Sequence, residues 1–225
     1  MIAMSPNEGN LDSIQSYDSE ILTAGAMQKT INPQGQGEFY EQILRFRNRH
    51  PARYSELFEE CGWSVDGGEI SYKGLTKSAL KKEIRKDFTS TSAPGKKESA
   101  ILAPVLNTIR CSEYIELQVM DFIKRLRLAT SITPSGHAYQ IKQYVRSNLG
   151  LALVLDHHIN RPGFVARDFG AALQRFFNAN PNTPTNPQNW GVNHQSYEDR
   201  ILEDYGATRQ MTDATGRYQA LRSRL

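Results

Sequence analysis

The sequence is poor in cysteine and has no long apolar run. Only Cys61 and Cys111 are cysteines among 225 residues, which gives neither metal-ligand spacing nor a disulfide framework. Whether the two cysteines pair stays open.

No apolar stretch reaches the roughly 18–20 residues of a bilayer span, so we expect no membrane insertion. Met1–Asn10 lacks the basic start and apolar stretch of a signal peptide. We therefore expect any export to use something other than a leader in this chain.

The sequence also lacks a strong charge of one sign. It has 27 basic and 24 acidic residues, a net charge of +3, which only weakly favours a polyanionic partner. The opening residues 1–40 hold five acids and one base, whereas residues 41–97 hold twelve bases and eight acids. This pattern is typical of a carboxylate-bearing site beside a positive surface. A nucleic-acid module would have a denser basic stripe and a recognisable motif, so we expect no nucleic-acid partner.

Hydrophobic periodicity predicts a helical protein. The only strand pattern that we identify is a short hairpin, in which Trp63–Val65 and Glu69–Tyr72 flank the turn sequence Asp66-Gly67-Gly68. The expected fold class is therefore all-α, or α+β with a minor β-hairpin. A Pro/Asn-rich loop is expected at Asn178–Asn193. Helices are expected at Glu38–Arg49, Pro51–Cys61, Thr76–Phe88, Glu98–Ala129 (with a break at Pro104 or near Cys111-Ser112), Ala138–Asp156, Arg167–Phe177, Tyr197–Tyr205 and Thr212–Arg222.

The longest predicted helix, Glu98–Ala129, is expected to provide the central core. Its apolar side chains recur at helical spacing, so they should share a buried face. They are Ile101, Leu102, Val105, Leu106, Ile109, Ile115, Val119, Phe122, Ile123 and Leu126. In the basic helix Thr76–Phe88 we expect Leu80 and Ile84 to point inward. The cluster Lys81–Lys86 should be a solvated face, with attraction to an anionic cell wall as the functional alternative.

The segment Asn7–Thr30 differs from the rest of the chain. Small and polar side chains predominate, so we expect it to contribute little to the core, and Gly9 and Gly25 allow close approach of the backbone. Glu8 and Asp18, ten residues apart, suit glycosidic cleavage. That reaction needs one carboxylic acid to protonate the leaving oxygen and a second group to activate water or stabilise the cation.

Two motifs in this segment resemble the lysozyme-like superfamily. Glu8 precedes Gly25-Ala26-Met27-Gln28 at the spacing that separates the catalytic Glu from a sugar-lining turn in goose-type lysozymes and lytic transglycosylases. Asp18 stands five residues ahead of Thr23-Ala24-Gly25, as in chitosanases. The resemblance covers about 25 residues. It departs from transglycosylases in having Gly after the Glu, and from chitosanases in its shorter Glu-to-Asp interval.

The resemblance implies a bilobal lysozyme-like fold, in which residues 1–225 form one catalytic domain taken from a longer protein. It implies Glu8 as general acid, Asp18 as base or electrostatic stabiliser, Thr23 as the residue that positions water, and Gln28 as a sugar contact. Asp12 and Glu20 remain alternatives for the second carboxylate. Tyr17 and Asn160 are further candidate substrate contacts.

The triplet Asp156-His157-His158 is the only candidate metal motif that we consider. Adjacent side chains on a helix point in different directions, and no third ligand has a suitable spacing. The two histidines are better explained as cations that complement the negative end of a helix. We therefore predict no metal site.

The resemblance to the lysozyme-like superfamily implies a muramidase that cleaves the bond between N-acetylmuramic acid and N-acetylglucosamine, without a cofactor. Lytic transglycosylase and noncatalytic wall-binding module are the alternatives, and chitosanase is disfavoured because a basic protein suits a cationic polymer poorly. The expected partners are peptidoglycan strands and an immunity protein. The expected site of action is the periplasm or wall of a target bacterium, reached as an antibacterial effector or as a phage component.

Overall fold

The computed structural model describes residues 10–16, 19–87 and 99–225. These residues are predominantly helical, with two small antiparallel sheets, so the predicted fold class is confirmed at that level. None of the helices in the described ranges is long and apolar enough to cross a membrane. The chain divides into two compact units, Glu8–Asp121 and a second unit that contains Phe122–Leu225.

The unit Glu8–Asp121 begins with a three-stranded antiparallel sheet that the sequence did not predict. Its strand order is β1-β2-β3, with Leu22 opposite Ile31 and Ala24 opposite Lys29. The elements of this unit are β1 (Ile14–Gln15), β2 (Leu22–Ala24), β3 (Lys29–Ile31), α1 (Glu38–Arg49), α2 (Pro51–Tyr54), a π-helical turn (Ser55–Glu59), β4 (Trp63–Ser64), β5 (Ser71–Tyr72), α3 (Lys77–Lys86), α4 (Leu102–Arg110) and the start of α5 (Ser112–Thr130).

The expectation that Asn7–Thr30 contributes little to the core is wrong for its described part. Ile21 and Leu22 are completely buried, as is Ile31 just beyond the segment, and Ile14 is nearly so. The prediction failed because each strand is only two or three residues long, too short for alternation of apolar and polar residues to show.

The predicted hairpin at Trp63–Tyr72 is confirmed. β4 and β5 pair with Trp63 opposite Tyr72, and the turn between them uses left-handed Gly67 and Gly68. The Trp63 indole stacks on Phe58, with 5.3 Å between ring centroids, and its Nε1–H donates to the Ile101 carbonyl oxygen at 2.9 Å. This bond satisfies the one polar atom of a tryptophan that is 1% exposed.

The predicted long helix breaks at Cys111, one of the two positions expected. Cys111 has an extended backbone (ψ 150°) between α4 and α5. Pro104 does not break α4, because it lies in the first turn, where its missing N–H is not needed. Ile101, Leu102 and Ile109 are buried as predicted, but the prediction for Ile123 is wrong, since it is 42% exposed.

The exposure of Ile123 follows from helix geometry. The buried residues of α5 include Leu117, Gln118 and Asp121, whose spacing of one and three residues places them on one face of the helix. Ile123, two residues beyond Asp121, is rotated about 200° from it and so lies on the other side.

The second unit contains the rest of α5 and the carboxyl-terminal helices. Its core centres on α7, where Leu153, Val154 and Leu155 are completely buried, in agreement with the all-round apolar sequence. The elements are α6 (Ile141–Tyr144), α7 (Asn148–Asn160), a 3-10 turn (Pro162–Phe164), α8 (Val165–Ala179), a 3-10 segment (Pro187–Asn193) within the predicted loop, α9 (His194–Thr208) and α10 (Ala214–Arg222).

The single helix predicted at Ala138–Asp156 is wrong, because the chain forms α6 and α7 with a break between them. Ser147 is the N-cap of α7, and its Oγ accepts a hydrogen bond from the Gly150 N–H. The Glu198 carboxylate, 1% exposed, accepts from the backbone N–H groups of Arg146 and Ser147 at 3.0 and 2.9 Å. A buried acid 50 residues away thus stabilises a new helix start.

We predict that Gly170→Ala destabilises the second unit although alanine favours helices. A Cβ at Gly170, within α8, would lie 2.4 Å from the Ser135 carbonyl oxygen and 2.9 Å from its nitrogen. Overpacking of this kind costs about 1–3 kcal/mol, which should appear in urea unfolding. Gly163→Ala is the matched control, because a Cβ there would meet nothing within 4 Å. Equal stability of the two variants would contradict this packing.

Candidate functional site

Two of the predicted site residues, Thr23 and Gln28, lie on the hairpin formed by β2 and β3. Thr23 is in the central strand, opposite Gln15 on one side and Thr30 on the other, and is 4% exposed. Gln28 is exposed and ends the turn before β3. The structure therefore brings these two residues into one element, with Thr23 in the sheet and Gln28 at the surface.

The turn Gly25-Ala26-Met27-Gln28 has an unusual backbone. Gly25, Met27 and Gln28 have φ values of 70°, 63° and 49°, and left-handed conformations of this kind cost a non-glycine residue on the order of 1–3 kcal/mol. They persist only where the surroundings fix the chain, and they concentrate at functional sites. Met27 is nonetheless only 7% exposed, so its side chain packs inward while Gln28 faces solvent.

The side chain of Gln118, on α5, holds this turn in place. Its Oε1 accepts a hydrogen bond from the Ala26 N–H at 2.8 Å. Its Nε2 donates to the carbonyl oxygens of Leu11 and Ile109 at 3.2 and 3.0 Å. A Cβ at Gly25 would lie 2.5 Å from the same Oε1, so glycine is required for this approach. One buried amide thus joins the turn, the chain before β1 and the end of α4.

The residue after the turn, Lys29, belongs to a buried ion cluster. Its Nζ lies 3.1 Å from Asp121 Oδ2, and the same carboxylate accepts hydrogen bonds from Arg45 at 2.7 and 2.6 Å and from Gln42 Nε2 at 2.9 Å. Burial raises the pKa of Asp121, but the hydrogen bond from Arg45 and the charge of Lys29 outweigh burial and hold it below the usual value. The carboxylate therefore stays ionised and fixes the start of β3.

Neither Gln118 nor Asp121 was predicted from the sequence. Gln118 lies 92 residues from the turn that it binds, and a polar residue within a long helix is expected to face solvent. The need for these two side chains becomes apparent only once the turn between β2 and β3 is known, because its buried polar groups then require partners.

The predicted acids Glu8 and Asp18 and the predicted contact Tyr17 lie outside the described residues. Of the two alternatives for the second carboxylate, Asp12 is engaged elsewhere: its Oδ2 accepts from Arg110 Nη2 at 2.7 Å and from Nε at 3.1 Å. Glu20 is half-buried, and its Oε1 accepts from the Ser19 hydroxyl at 3.2 Å.

The basic helix α3 reaches the same region. Leu80 and Ile84 are completely buried, as predicted. Lys81 is not simply solvated, however, because it is half-buried and its Nζ donates to the Ser19 carbonyl oxygen at 2.6 Å. A positive charge therefore lies against the connection between β1 and β2.

Asn160, the last residue of α7, is described in the second unit. Its Nδ2 donates to the Asp156 carbonyl oxygen at 2.8 Å, so the side chain folds back onto the last turn of its own helix. The side chain is exposed, and its role as a substrate contact stays a prediction.

The triplet Asp156-His157-His158 lies in the interior of the second unit. His157 is completely buried, hydrogen-bonds Tyr205 through Nδ1 at 2.7 Å, and has Nε2 3.6 Å from Asp168 Oδ2. Asp156, also completely buried, is paired with Arg209 at 2.8 Å and with Arg217. Among the residues that the structure describes, no cluster of three or more potential ligands could hold a metal ion.

The explanation of the two histidines as cations that complement a helix end is wrong. Burial and the nearby Arg209 lower the pKa of His157 to about 4. Burial and the charge of Arg125, whose Nε donates to His158 Nδ1 at 3.0 Å, also lower the pKa of His158. Both rings are therefore neutral at pH 7, and they act in packing and hydrogen bonding.

Comparison of the chain with protein-family models, with curated proteins and with solved structures finds no match in any of the three.

We predict that Gln118→Met destabilises the first unit by about 1–3 kcal/mol, because the buried Ala26 N–H loses its acceptor. Methionine is similar in volume, so packing should change little. The measurement is urea unfolding, with Gln174→Met, an exposed position on α8, as control. If both variants unfold at the same urea concentration, the amide does not hold the turn.

A second prediction concerns pH. The pKa of His157 is about 4 in the folded chain against an ordinary 6.5, so between these values the unfolded chain binds a proton that the folded chain does not. Wild type should therefore lose stability on acidification through this residue, whereas His157→Gln should not. The stability difference between wild type and variant should fall by about 2 kcal/mol from pH 7.5 to pH 5.0. A difference that does not change with pH would disprove the assignment.

Proposed function

We propose that this protein is a peptidoglycan-degrading glycoside hydrolase with a lysozyme-like fold, a muramidase that cleaves the bond between N-acetylmuramic acid and N-acetylglucosamine. The observation that carries the proposal is the turn at Gly25–Gln28. It is held by a buried amide, it has strained left-handed residues, and it exposes Gln28. Glu8 and Asp18 precede it in the sequence at the intervals of the lysozyme-like motifs.

In the proposed mechanism Glu8 is the general acid and protonates the glycosidic oxygen. Asp18, with Thr23, orients the attacking water or stabilises the oxocarbenium-like transition state. A separation of roughly 6.5–9.5 Å between the two carboxyl groups would leave room for water and give inversion, whereas about 5–5.5 Å would give retention. Gln28 contacts the sugar from the rim of the turn.

The architecture is compatible with this assignment. A predominantly helical chain that divides into two compact units suits a bilobal lysozyme-like enzyme. Asp12 is a weaker candidate than Asp18 for the second carboxylate, because Asp12 Oδ2 already binds Arg110. Glu20 remains the alternative, since it follows the Ser19 carbonyl that Lys81 holds.

Two other functions compete with hydrolysis. A lytic transglycosylase would use Glu8 alone and form an anhydro sugar. A noncatalytic wall-binding module, for instance in a phage tail or secretion apparatus, would leave the glycan intact. We favour an antibacterial effector that acts in the periplasm or wall of a target bacterium, with an immunity protein as its natural inhibitor.

We predict that Glu8→Gln lowers the rate of cell-wall clearing by at least about 10²–10⁴-fold, the usual contribution of a general acid. The amide keeps the size of the side chain but cannot donate the proton. The measurement is the loss of turbidity of purified peptidoglycan, with Glu41→Gln, an exposed position on α1, as control. Circular dichroism should be identical for all three proteins. Clearing by Glu8→Gln at the wild-type rate would rule out the proposed acid.

A further inference from the structure

The second unit contains a groove that the proposed mechanism does not use. It lies among α7, α9 and α10 and has a volume of about 220 Å³. Pockets for drug-sized ligands span about 300–1,000 Å³, so this groove suits a smaller ligand. Its apolar lining comes from Leu149, Leu202 and Tyr218, and the last two are almost completely buried.

The polar lining of the groove carries charges of both signs. Asp199 and Glu203 are one turn apart on α9 and so lie on the same face of that helix. Arg222, in the last turn of α10, provides a positive charge from a different helix. All three side chains are exposed, so a ligand in the groove can reach them.

Some of these charged side chains already have partners within the protein. Asp199 accepts a hydrogen bond from Gln195 at 2.7 Å. Arg200, which also lines the groove, donates to Asn180 at 2.7 Å. Within the described part of the chain, neither Glu203 nor Arg222 takes part in an ion pair. The groove thus offers one carboxylate and one guanidinium for external partners.

We propose that this groove binds the zwitterionic end of a short peptide. The guanidinium of Arg222 would bind a carboxylate, the carboxylate of Glu203 an ammonium group, and the apolar lining would contact a small aliphatic side chain. A ligand with charge of one sign would pair with only one of the two residues. The volume fits one or two amino-acid residues and is too small for a folded partner.

The natural source of such a ligand would be the short peptides that peptidoglycan strands carry. Their amino end is amide-linked to the sugar, so the ammonium and carboxylate groups would be those at the side-chain end of a diamino acid, and this identification rests on the proposed function. The groove would then bind the peptide arm of the substrate. Binding can be measured without turnover, so loss of binding and loss of cleavage are separate results.

The test titrates the full chain with alanyl-alanine that has free ends, followed by NMR or calorimetry. We expect a dissociation constant in the millimolar range. Acetylation of the amino end, or amidation of the carboxyl end, should each weaken binding about five- to tenfold. Arg222→Gln and Glu203→Gln should give similar losses with the unmodified dipeptide. Amidation of the carboxyl end should not weaken binding to Arg222→Gln any further, and acetylation of the amino end should not weaken binding to Glu203→Gln any further.

Arg161→Gln, an exposed arginine of the same unit outside the groove, is the matched control and should bind like wild type. Glu8→Gln should also bind like wild type, even where it no longer clears peptidoglycan. Equal binding of free and blocked dipeptides, unchanged binding by both groove variants, or no binding at 20 mM dipeptide (about twenty times a 1 mM dissociation constant) would each overturn the proposal.

Discussion

The first unit depends on the buried amide of Gln118. This side chain satisfies the Ala26 N–H in the turn and the carbonyl oxygens of Leu11 and Ile109. The buried Ala26 N–H would lose its acceptor without this amide, which costs more than an ordinary hydrogen bond contributes. The amide also explains why residue 25 is glycine, since a Cβ would collide with it. The exposed position of Gln28 therefore follows from an interaction in α5.

Buried carboxylates with several donors recur in both units. In the first unit Asp121 binds Lys29, Arg45 and Gln42, and in the second Asp156 binds Arg209 and Arg217. Such pairs contribute little net stability, because desolvation offsets their attraction, but breaking one partner is costly. Their effect here is to fix which elements meet: β3 with α5 in one unit, and α7 with α10 in the other.

The sequence predicted what depends on local periodicity. The helices α1, α3, α8, α9 and α10 and the hairpin at Trp63 follow from apolar spacing and turn residues, and the break at Cys111 was one of two expected positions. The sheet β1–β3 was missed because its strands are too short to show alternation. The break before α7 was missed because it depends on Glu198, a residue far along the chain.

Part of the candidate site was equally hidden in the sequence. The turn at Gly25–Gln28 and its glycine could be singled out from residue types. Gln118, which holds the turn, and Asp121, which binds the following Lys29, could not. The role of the histidine pair was predicted wrongly because the partners of His157 are distant in sequence: Arg209 and Tyr205 lie about 50 residues away.

The proposed function depends on the turn at Gly25–Gln28, which Gln118 holds in place and which exposes Gln28. The most direct test is the mass of the muropeptides released from purified peptidoglycan. Hydrolysis adds one water to each cleaved bond, so a muramidase should release products with reducing muramic acid ends. Products with anhydro ends would contradict the proposed function, and so would a glycan that stays intact after exhaustive digestion.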